Sequence, residues 1–174
     1  MDRSFLIGLA RDWGIALVAA LLLIGGWVWF FGGGPASGDA PALRAQTLNG
    51  ETFDLHEGEP GPILINFWAT WCGPCRSEIP ALSAYADDAE VPLLGVSVDE
   101  QTSLAQLERF KKRNDMRYEV VWDQTGAASR AWGVGTLPTT FAVSQDGHIV
   151  DHRVGTVTTA TLKTMAKRAV EHGH

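Results

Sequence analysis

Two cysteines, Cys72 and Cys75, are the only cysteines in the chain of 174 residues, and the dipeptide Gly73-Pro74 separates them. Such a pair has three common uses: a structural disulfide, part of a metal site, or a redox centre. A disulfide between residues three positions apart closes a very short loop, so it adds little to the stability of a fold. The pair is therefore poorly suited to the role of a purely structural disulfide.

A metal site needs more ligands than the cysteine pair supplies. Structural zinc takes four ligands, commonly two Cys pairs or one Cys pair with a His pair. Among the five histidines, only His148 and His152 have the usual spacing, and they form at most a partial site inside a predicted hairpin. Covalent haem attachment would need a histidine after the second cysteine, where Arg76 stands. No metal site is predicted.

A redox centre fits the sequence around the pair. The apolar run at residues 62–69 predicts a buried strand, and a helix is predicted over residues 73–87. Cys72 then lies where a strand ends and a helix begins, so the free N–H groups and the dipole of the first turn favour its thiolate form. Cys75 follows one turn later, close enough to attack a mixed disulfide on Cys72. Pro74 suits the first helical turn, where its missing N–H is not needed.

The other elements predict an α/β domain. Asn49-Gly50 predicts an opening hairpin, and Asp146-Gly147 predicts a second hairpin late in the chain. Between and after them, apolar patterns and capping residues predict strands at 92–99 and 118–123, helices from 103 and over 125–132, and a last helix from 158. Strands that alternate with helices, followed by a hairpin, favour one mixed sheet with helices on both faces.

The N-terminal part of the chain predicts a membrane anchor. Residues 13–31 carry no charge and are long enough to cross a bilayer as a helix. They exceed the apolar length of a signal peptide, about 7 to 15 residues, so an uncleaved anchor is expected. Residues 1–12 are the more basic flank, which predicts a cytoplasmic tail and a catalytic domain on the periplasmic side of the inner membrane. Residues 32–41 predict a flexible tether, and residues 42–172 the folded domain.

Charge and composition narrow the partners. Hydrophobic residues make up 45% of the chain and charged residues 20%, a composition that excludes a disordered chain. The net charge of −6 argues against nucleic acid as a partner. The basic run Lys111-Lys112-Arg113 is interpreted as a solvated helix end, because cations complement the helix dipole there.

Two motifs resemble a known superfamily. "FWATWCGPC" at residues 67–75 resembles the active-site signature of thioredoxin-fold proteins, and "GTLPTTF" at residues 135–141 is similar to the segment that carries their cis-proline. The anchor, the opening hairpin, and the extra strand and helix between the two halves of the core resemble membrane-anchored thiol:disulfide reductases of the TlpA/ResA/DsbE type. The expected architecture is a thioredoxin fold with an N-terminal hairpin, a central βα insertion and one transmembrane helix.

The resemblance implies roles for the residues around the pair. Cys72 would attack the substrate disulfide and Cys75 would resolve the mixed disulfide, while Trp71, Gly73 and Pro74 shape their surroundings. The redox-active disulfide of the two cysteines would be the only redox group, without a metal or an organic cofactor.

The resemblance also implies a site for the substrate chain. Pro138 would be the cis-proline that faces the cysteines, since X-Pro bonds have a low cis penalty. The backbone of Leu137 would then hydrogen-bond an extended substrate peptide beside the disulfide.

One position departs from thioredoxin itself, which carries a buried aspartate six residues before its first cysteine. Here that residue is Asn66, which cannot exchange a proton. Glu78, one helical turn after Cys75, matches a glutamate of the ResA-type proteins, and a partly buried glutamate would have a raised pKa and could exchange a proton with Cys75. The alternative is a solvated Glu78 that pairs with a base such as Arg76.

The implied function is the reduction of disulfides in exported proteins, because Gly73-Pro74 resembles the dipeptide of reducing thioredoxins. Apocytochrome c is one candidate substrate, although residues 137–140 differ from the Pro-Glu-Thr segment of dedicated cytochrome-maturation thioredoxins. A membrane electron donor of the DsbD/CcdA type is implied as well.

Two alternatives to a reductase are considered. A peroxiredoxin-like thiol peroxidase would share the fold, but such enzymes carry a threonine three residues before the cysteine, and Thr70 lies two before Cys72. An anchored module could instead hold exported peptides in the groove at Pro138 without exchanging disulfides.

Overall fold

The computed structural model describes residues 38–57 and 61–172. The predicted tail, the predicted anchor and the first six residues of the predicted tether lie outside these ranges. Within them, no helix has the length and apolarity that a membrane crossing requires. The described residues contain eight strands and four helices. In chain order these are β1 (Gly38–Asp39), β2 (Arg44–Thr47), β3 (Thr52–Asp54), β4 (Ile63–Trp68), α1 (Gly73–Ala86), β5 (Leu93–Ser97), α2 (Leu104–Arg113), β6 (Glu119–Trp122), α3 (Ala127–Ala131), β7 (Thr139–Val143), β8 (His148–Val154) and α4 (Thr159–Glu171).

All eight strands form one mixed sheet in the order β1-β8-β7-β4-β5-β6-β2-β3. The central strands β4, β5 and β6 are parallel, and the other neighbouring pairs are antiparallel. The predicted hairpins at Asn49-Gly50 and Asp146-Gly147 join β2 to β3 and β7 to β8. The prediction of a mixed sheet is therefore confirmed.

The direction of the chain through the sheet determines where the helices lie. From β4 the chain steps to β5 and then to β6, so right-handed crossovers place α1 and α2 on the same face. It then returns to β7 on the other side of β4, and α3 packs on the opposite face. The alternation along β4 matches this arrangement, since Leu64 and Trp68 pack in the core of α1, α2 and α4, whereas Ile65 and Phe67 pack in the core of α3. Helices cover both faces, as predicted.

The folded domain begins earlier than the sequence predicts. Gly38 and Asp39, inside the predicted tether, form strand β1 and pair with Ile149 and His148 of β8. Ala40 follows and is 5% exposed. A strand of two residues has no periodicity of its own, so the Gly- and Ala-rich composition of this segment predicted a tether instead of a strand.

The short helix α3 also differs from its prediction, starting two residues later. Gly126 precedes it with a φ of 66°, in the left-handed region that glycine adopts easily. The carboxylate of Asp123 accepts hydrogen bonds from the backbone N–H groups of Ala128 and Ser129, at 3.2 and 2.8 Å. This aspartate, rather than a residue inside the predicted range, fixes the start of α3.

Candidate active site

The cysteines lie at the carboxyl edge of the parallel strands. Cys72 follows β4, Asp99 follows β5 and Asp123 follows β6, so the residues after all three strands meet at one edge of the sheet. From β4 the chain continues to β5 and β6 on one side, and it then crosses to β7 on the other side of β4. Such a switch point leaves a crevice outside the strand ends, and α/β proteins bind their ligands there.

Cys72 and Cys75 form a disulfide with their Cα atoms 5.3 Å apart. Cys72 is the N-cap residue of α1, and its Sγ atom accepts the backbone N–H of Cys75 at 3.2 Å. The predicted position of Cys72 between strand and helix is confirmed, and one N–H group of the first turn, that of Cys75, donates to its sulfur. Cys72 is 5% exposed and Cys75 1%, so Cys72 is the more accessible of the two.

Residues on either side of Cys72 form the rim of the site. Trp71 is 72% exposed, although large aromatic side chains are usually buried. Gly73 and Pro74 are exposed as well, and Pro74 occupies the first turn of α1. These three residues flank Cys72 in the chain and are exposed at the surface.

The loop before β7 brings a cis-proline to the same edge. The Leu137–Pro138 peptide bond is cis, as the resemblance implied. The next residue, Thr139, pairs with Phe67 near the end of β4, which places the loop beside the start of the cysteine segment. The carbonyl of Pro138 accepts a hydrogen bond from Gly155 at 2.8 Å. Leu137 and Trp71 line one groove next to the disulfide.

Glu78 is a buried carboxyl group on the inner face of α1. It is 3% exposed, and its Oε1 and Oε2 atoms accept hydrogen bonds from Asn66 Nδ2 at 2.9 Å and from the backbone N–H of Val157 at 3.0 Å. Burial outweighs both hydrogen bonds and raises the pKa of Glu78 to about 7. The alternative of a solvated Glu78 paired with Arg76 is therefore wrong.

Asn66 suits this carboxyl group in both protonation states. Its Nδ2 atom donates to Glu78 and also to Thr140 Oγ1 at 3.0 Å, while its Oδ1 atom is buried without a partner among the described residues. A rotated amide would present Oδ1 to a protonated Glu78, so the same residue can accept from the acid and donate to the carboxylate. An aspartate at this position would instead repel an ionised Glu78.

Cys75 and Glu78 both belong to the buried face of α1. Residues three apart on a helix are neighbours, so the carboxyl group lies one turn beyond the inner sulfur. A group with a pKa of about 7 can accept and release a proton at neutral pH, which is what the thiol of Cys75 needs during exchange.

Tyr118 adds a further buried polar group. Its hydroxyl has no partner among the described residues, and burial together with the charge of Glu78 raises its pKa.

Sequence reasoning missed Asp99, which fixes the turn before Cys72. Its carboxylate accepts the backbone N–H of Thr70 at 3.0 Å, the Thr70 hydroxyl at 2.6 Å and the Ser97 hydroxyl at 2.7 Å, and it is 4% exposed. An aspartate that directly follows a buried parallel strand was the available signal, because that edge of the sheet holds functional residues. The Thr70 hydroxyl points at Asp99, so it is not presented to a substrate at Cys72.

Substitution of Asp99 by asparagine should destabilise the oxidised protein by about 2 to 3 kcal/mol, because an amide group would face donors that now share two carboxylate oxygens. Urea denaturation measures this loss. Glu100→Gln, the same chemical change at the exposed neighbouring residue, should alter stability by less than about 0.5 kcal/mol. Equal effects of the two substitutions would show that the contacts of Asp99 do not hold the turn.

A disulfide at a helix N-terminus, a buried carboxyl group and a cis-proline on a mixed sheet define a thioredoxin-like protein with a redox-active cysteine pair. A sequence model of the AhpC/TSA family matches residues 37–152, and the chain belongs to that family.

Individual relatives agree with this class. The chain is 34% identical over 123 residues to thioredoxin-like protein YneN of Bacillus subtilis, covering 68% of this chain and 71% of the relative. It is 28% identical over 131 residues to thiol-disulfide oxidoreductase ResA of Bacillus thuringiensis, with coverage of 75% and 76%. The crystal structure of StoA from Bacillus subtilis superposes with a TM-score of 0.63 at 26% identity, over 75% of this chain and 98% of that one. The predicted class, a thiol:disulfide oxidoreductase of the TlpA/ResA/DsbE type with a thioredoxin-like fold, is confirmed.

Proposed function

We propose that this protein reduces disulfides in exported proteins outside the cytoplasm, with apocytochrome c as the first candidate substrate. The observation that carries the proposal is the Cys72–Cys75 disulfide at the start of α1, one turn away from a buried carboxyl group with a pKa of about 7. The names of relatives such as thiol-disulfide oxidoreductase ResA support the reaction class.

The reaction consists of two thiol–disulfide exchanges. The thiolate of reduced Cys72 attacks one sulfur of the substrate disulfide, forms a mixed disulfide and releases the first substrate thiolate. Glu78 accepts the proton of the Cys75 thiol, and the resulting thiolate attacks the Cys72 sulfur and releases the second substrate thiolate. The substrate gains two electrons, and the protein is left with the Cys72–Cys75 disulfide. We propose no metal or organic cofactor for these steps.

A reductase outside the cytoplasm must be recharged with two electrons after each cycle, since that environment favours disulfides. We propose that a membrane protein of the DsbD/CcdA type supplies them and that residues 13–31 anchor the protein in the inner membrane, with the catalytic domain on the periplasmic side. A reporter fused to the C-terminus tests the topology. Activity of a reporter that functions only in the cytoplasm would contradict this orientation.

The pre-reduced full chain should reduce the disulfides of insulin, and Cys72→Ala should lose this activity, because Cys72 is the more exposed of the two cysteines. The assay follows insulin precipitation and, in parallel, consumption of hydrogen peroxide. A peroxidase would consume peroxide, and a peptide-binding module would show neither activity. The Thr70 hydroxyl donates a hydrogen bond to Asp99 and is not presented to a substrate at Cys72, which argues against a peroxidase.

The reduction potential of the Cys72/Cys75 couple tests the direction of electron flow. We expect a potential close to that of reducing thioredoxins, about −270 mV. A potential near that of strong oxidants, about −120 mV, would reverse the proposed direction.

A further inference from the structure

A groove of about 1050 Å³ begins beside the disulfide and runs between α2 and α3. At the end nearest the disulfide, the groove is lined by Trp71 and Leu137, the chain neighbours of Cys72 and of the cis-proline Pro138. The floor contains Val98, Asp99 and Val134. The groove is thus continuous with the place where a substrate disulfide must approach Cys72.

One wall of the groove is a polar face of α2. Gln106, Arg109 and Arg113 lie three and four residues apart, so they follow one side of the helix, and all three line the groove. Phe110 stacks on Trp68 with ring centroids 5.4 Å apart, which fixes this helix against the end of β4.

The basic run at the end of α2 is divided between two surfaces. Lys111 and Lys112 form ion pairs with Glu119 at 4.0 Å and with Glu108 at 2.8 Å. The interpretation as a solvated helix end holds for Lys112, whose side chain is 74% exposed, but Arg113 lines the groove.

The opposite wall carries a third arginine. Arg130 of α3 lines the groove, and its guanidinium lies directly over the backbone of Gly126. A Cβ atom on Gly126 would lie 2.8 Å from Arg130 Nη1, which shows how close the guanidinium lies to this glycine.

The three groove arginines, Arg109, Arg113 and Arg130, have no carboxylate within 4.0 Å in residues 38–57 and 61–172. Two acidic residues, Asp99 and Glu100, also line the groove. Asp99 accepts hydrogen bonds from Thr70 and Ser97 but keeps its charge, so three guanidinium groups face two carboxylates and the groove carries a net positive charge. A cationic groove on a chain with a net charge of −6 indicates an anionic ligand.

We propose that this groove binds an acidic segment of the substrate polypeptide, next to the disulfide that Cys72 attacks. The inference rests on the proposed function and adds the substrate class. A polypeptide fits better than a small anion because the groove opens at Trp71 and Leu137, where the proposed function places the substrate chain. Guanidinium groups bind carboxylates with paired hydrogen bonds, so Asp and Glu side chains of that segment match the two walls.

The test compares two short synthetic peptides that contain the same intramolecular disulfide. One carries a run of glutamates after the second cysteine, and the other carries glutamines at the same positions. The pre-reduced full chain should reduce the acidic peptide about tenfold faster than the neutral one at low salt, and the ratio should approach one at about 1 M salt, where charges are screened within about 3 Å.

The combined substitution Arg109→Gln, Arg113→Gln and Arg130→Gln should bring the ratio of the two rates to about one. The combination Lys112→Gln, Lys163→Gln and Lys167→Gln removes the same charge from surfaces outside the groove and should keep the wild-type ratio. Glu100→Gln should change the ratio in the opposite direction to the arginine substitutions and increase it, which tests the groove even if the triple arginine variant does not fold.

Equal reduction of both peptides by the wild-type protein would overturn the acidic-substrate inference and leave the proposed function standing. Reduction of neither peptide would overturn the proposed function and this inference with it. An anionic membrane is the competing ligand. A ratio near one, together with binding to phosphatidylglycerol vesicles that the triple arginine variant loses, would assign the groove to lipid and contradict the proposal.

Discussion

Cys75→Ser is expected to convert the protein from a catalyst into a trap for its substrate. Cys72 can still attack a disulfide, but the serine at position 75 cannot attack the mixed disulfide that results. We expect a one-to-one covalent adduct with oxidised insulin to accumulate and turnover to fall by about 1000-fold or more, as is typical when one member of a catalytic pair is removed.

The positions of the two sulfurs are the physical reason for this asymmetry. Cys72 caps α1, accepts an N–H hydrogen bond and is 5% exposed, whereas Cys75 lies inside α1 on its buried face and is 1% exposed. A substrate disulfide can therefore reach the first sulfur more easily than the second.

Non-reducing electrophoresis and mass spectrometry measure the adduct, with Cys72→Ser as the matched control. This control keeps one cysteine and should form no adduct, because the remaining sulfur is buried. Comparable adducts from both single variants would show that the roles of the two cysteines are not distinct.

Glu78→Gln should change how the stability of the oxidised protein depends on pH. Glu78 has a pKa of about 7 in the folded protein and an ordinary value of 4.5, so the folded state binds more protons than the unfolded state between these values. Stability from this group is present below pH 4.5 and falls by about 3 kcal/mol as the pH rises through 7. Glutamine does not titrate, so the variant should lack this loss and gain stability relative to the wild type between pH 4.5 and pH 8.

Urea denaturation at several pH values between 4.5 and 8 measures the difference. Glutamine can be accommodated, because a rotated Asn66 amide offers its unpartnered Oδ1 atom to the new NH₂ group. Glu51→Gln, in the exposed hairpin turn between β2 and β3, is the matched control for the loss of one surface carboxyl group. Parallel curves for wild type and Glu78→Gln would show that Glu78 does not titrate in this range.

The same variant tests the proposed proton transfer. Without a base beside Cys75, resolution of the mixed disulfide near neutral pH should slow by about 100-fold, the usual contribution of a general base. Alkylation of Cys75 as a function of pH should lose its inflection near 7. An unchanged profile would leave Glu78 with a structural role only.

The sequence predicted the centre of this site well because its parts are local. Strand β4, the cysteines and the start of α1 are consecutive, so one stretch of apolar residues and one Gly-Pro dipeptide determine where Cys72 lies. Glu78 could be placed on the face of Cys75 by helical spacing alone.

The remaining parts of the site come from distant segments that meet only in the folded chain. The burial of Glu78 depends on Asn66 and on the backbone of Val157, 79 positions later. Asp99 reaches Thr70 across the sheet edge, and Arg130 faces α2 across the groove. No spacing within a single segment encodes such contacts, which is also why the edge strand β1 was missed.

The two outer strands of the sheet bear on how the chain folds. Residues 38–54 supply both of them, because β1 borders β8 at one side and the β2–β3 hairpin borders β6 at the other. Gly38 pairs with Ile149, so a chain synthesised from its N-terminus must complete almost the whole domain before β1 finds its partner. Until β1 docks, β8 keeps an open edge that can pair with other chains. The docking of β1 thus covers the last open edge of the sheet, at which a partly folded chain would be prone to aggregate.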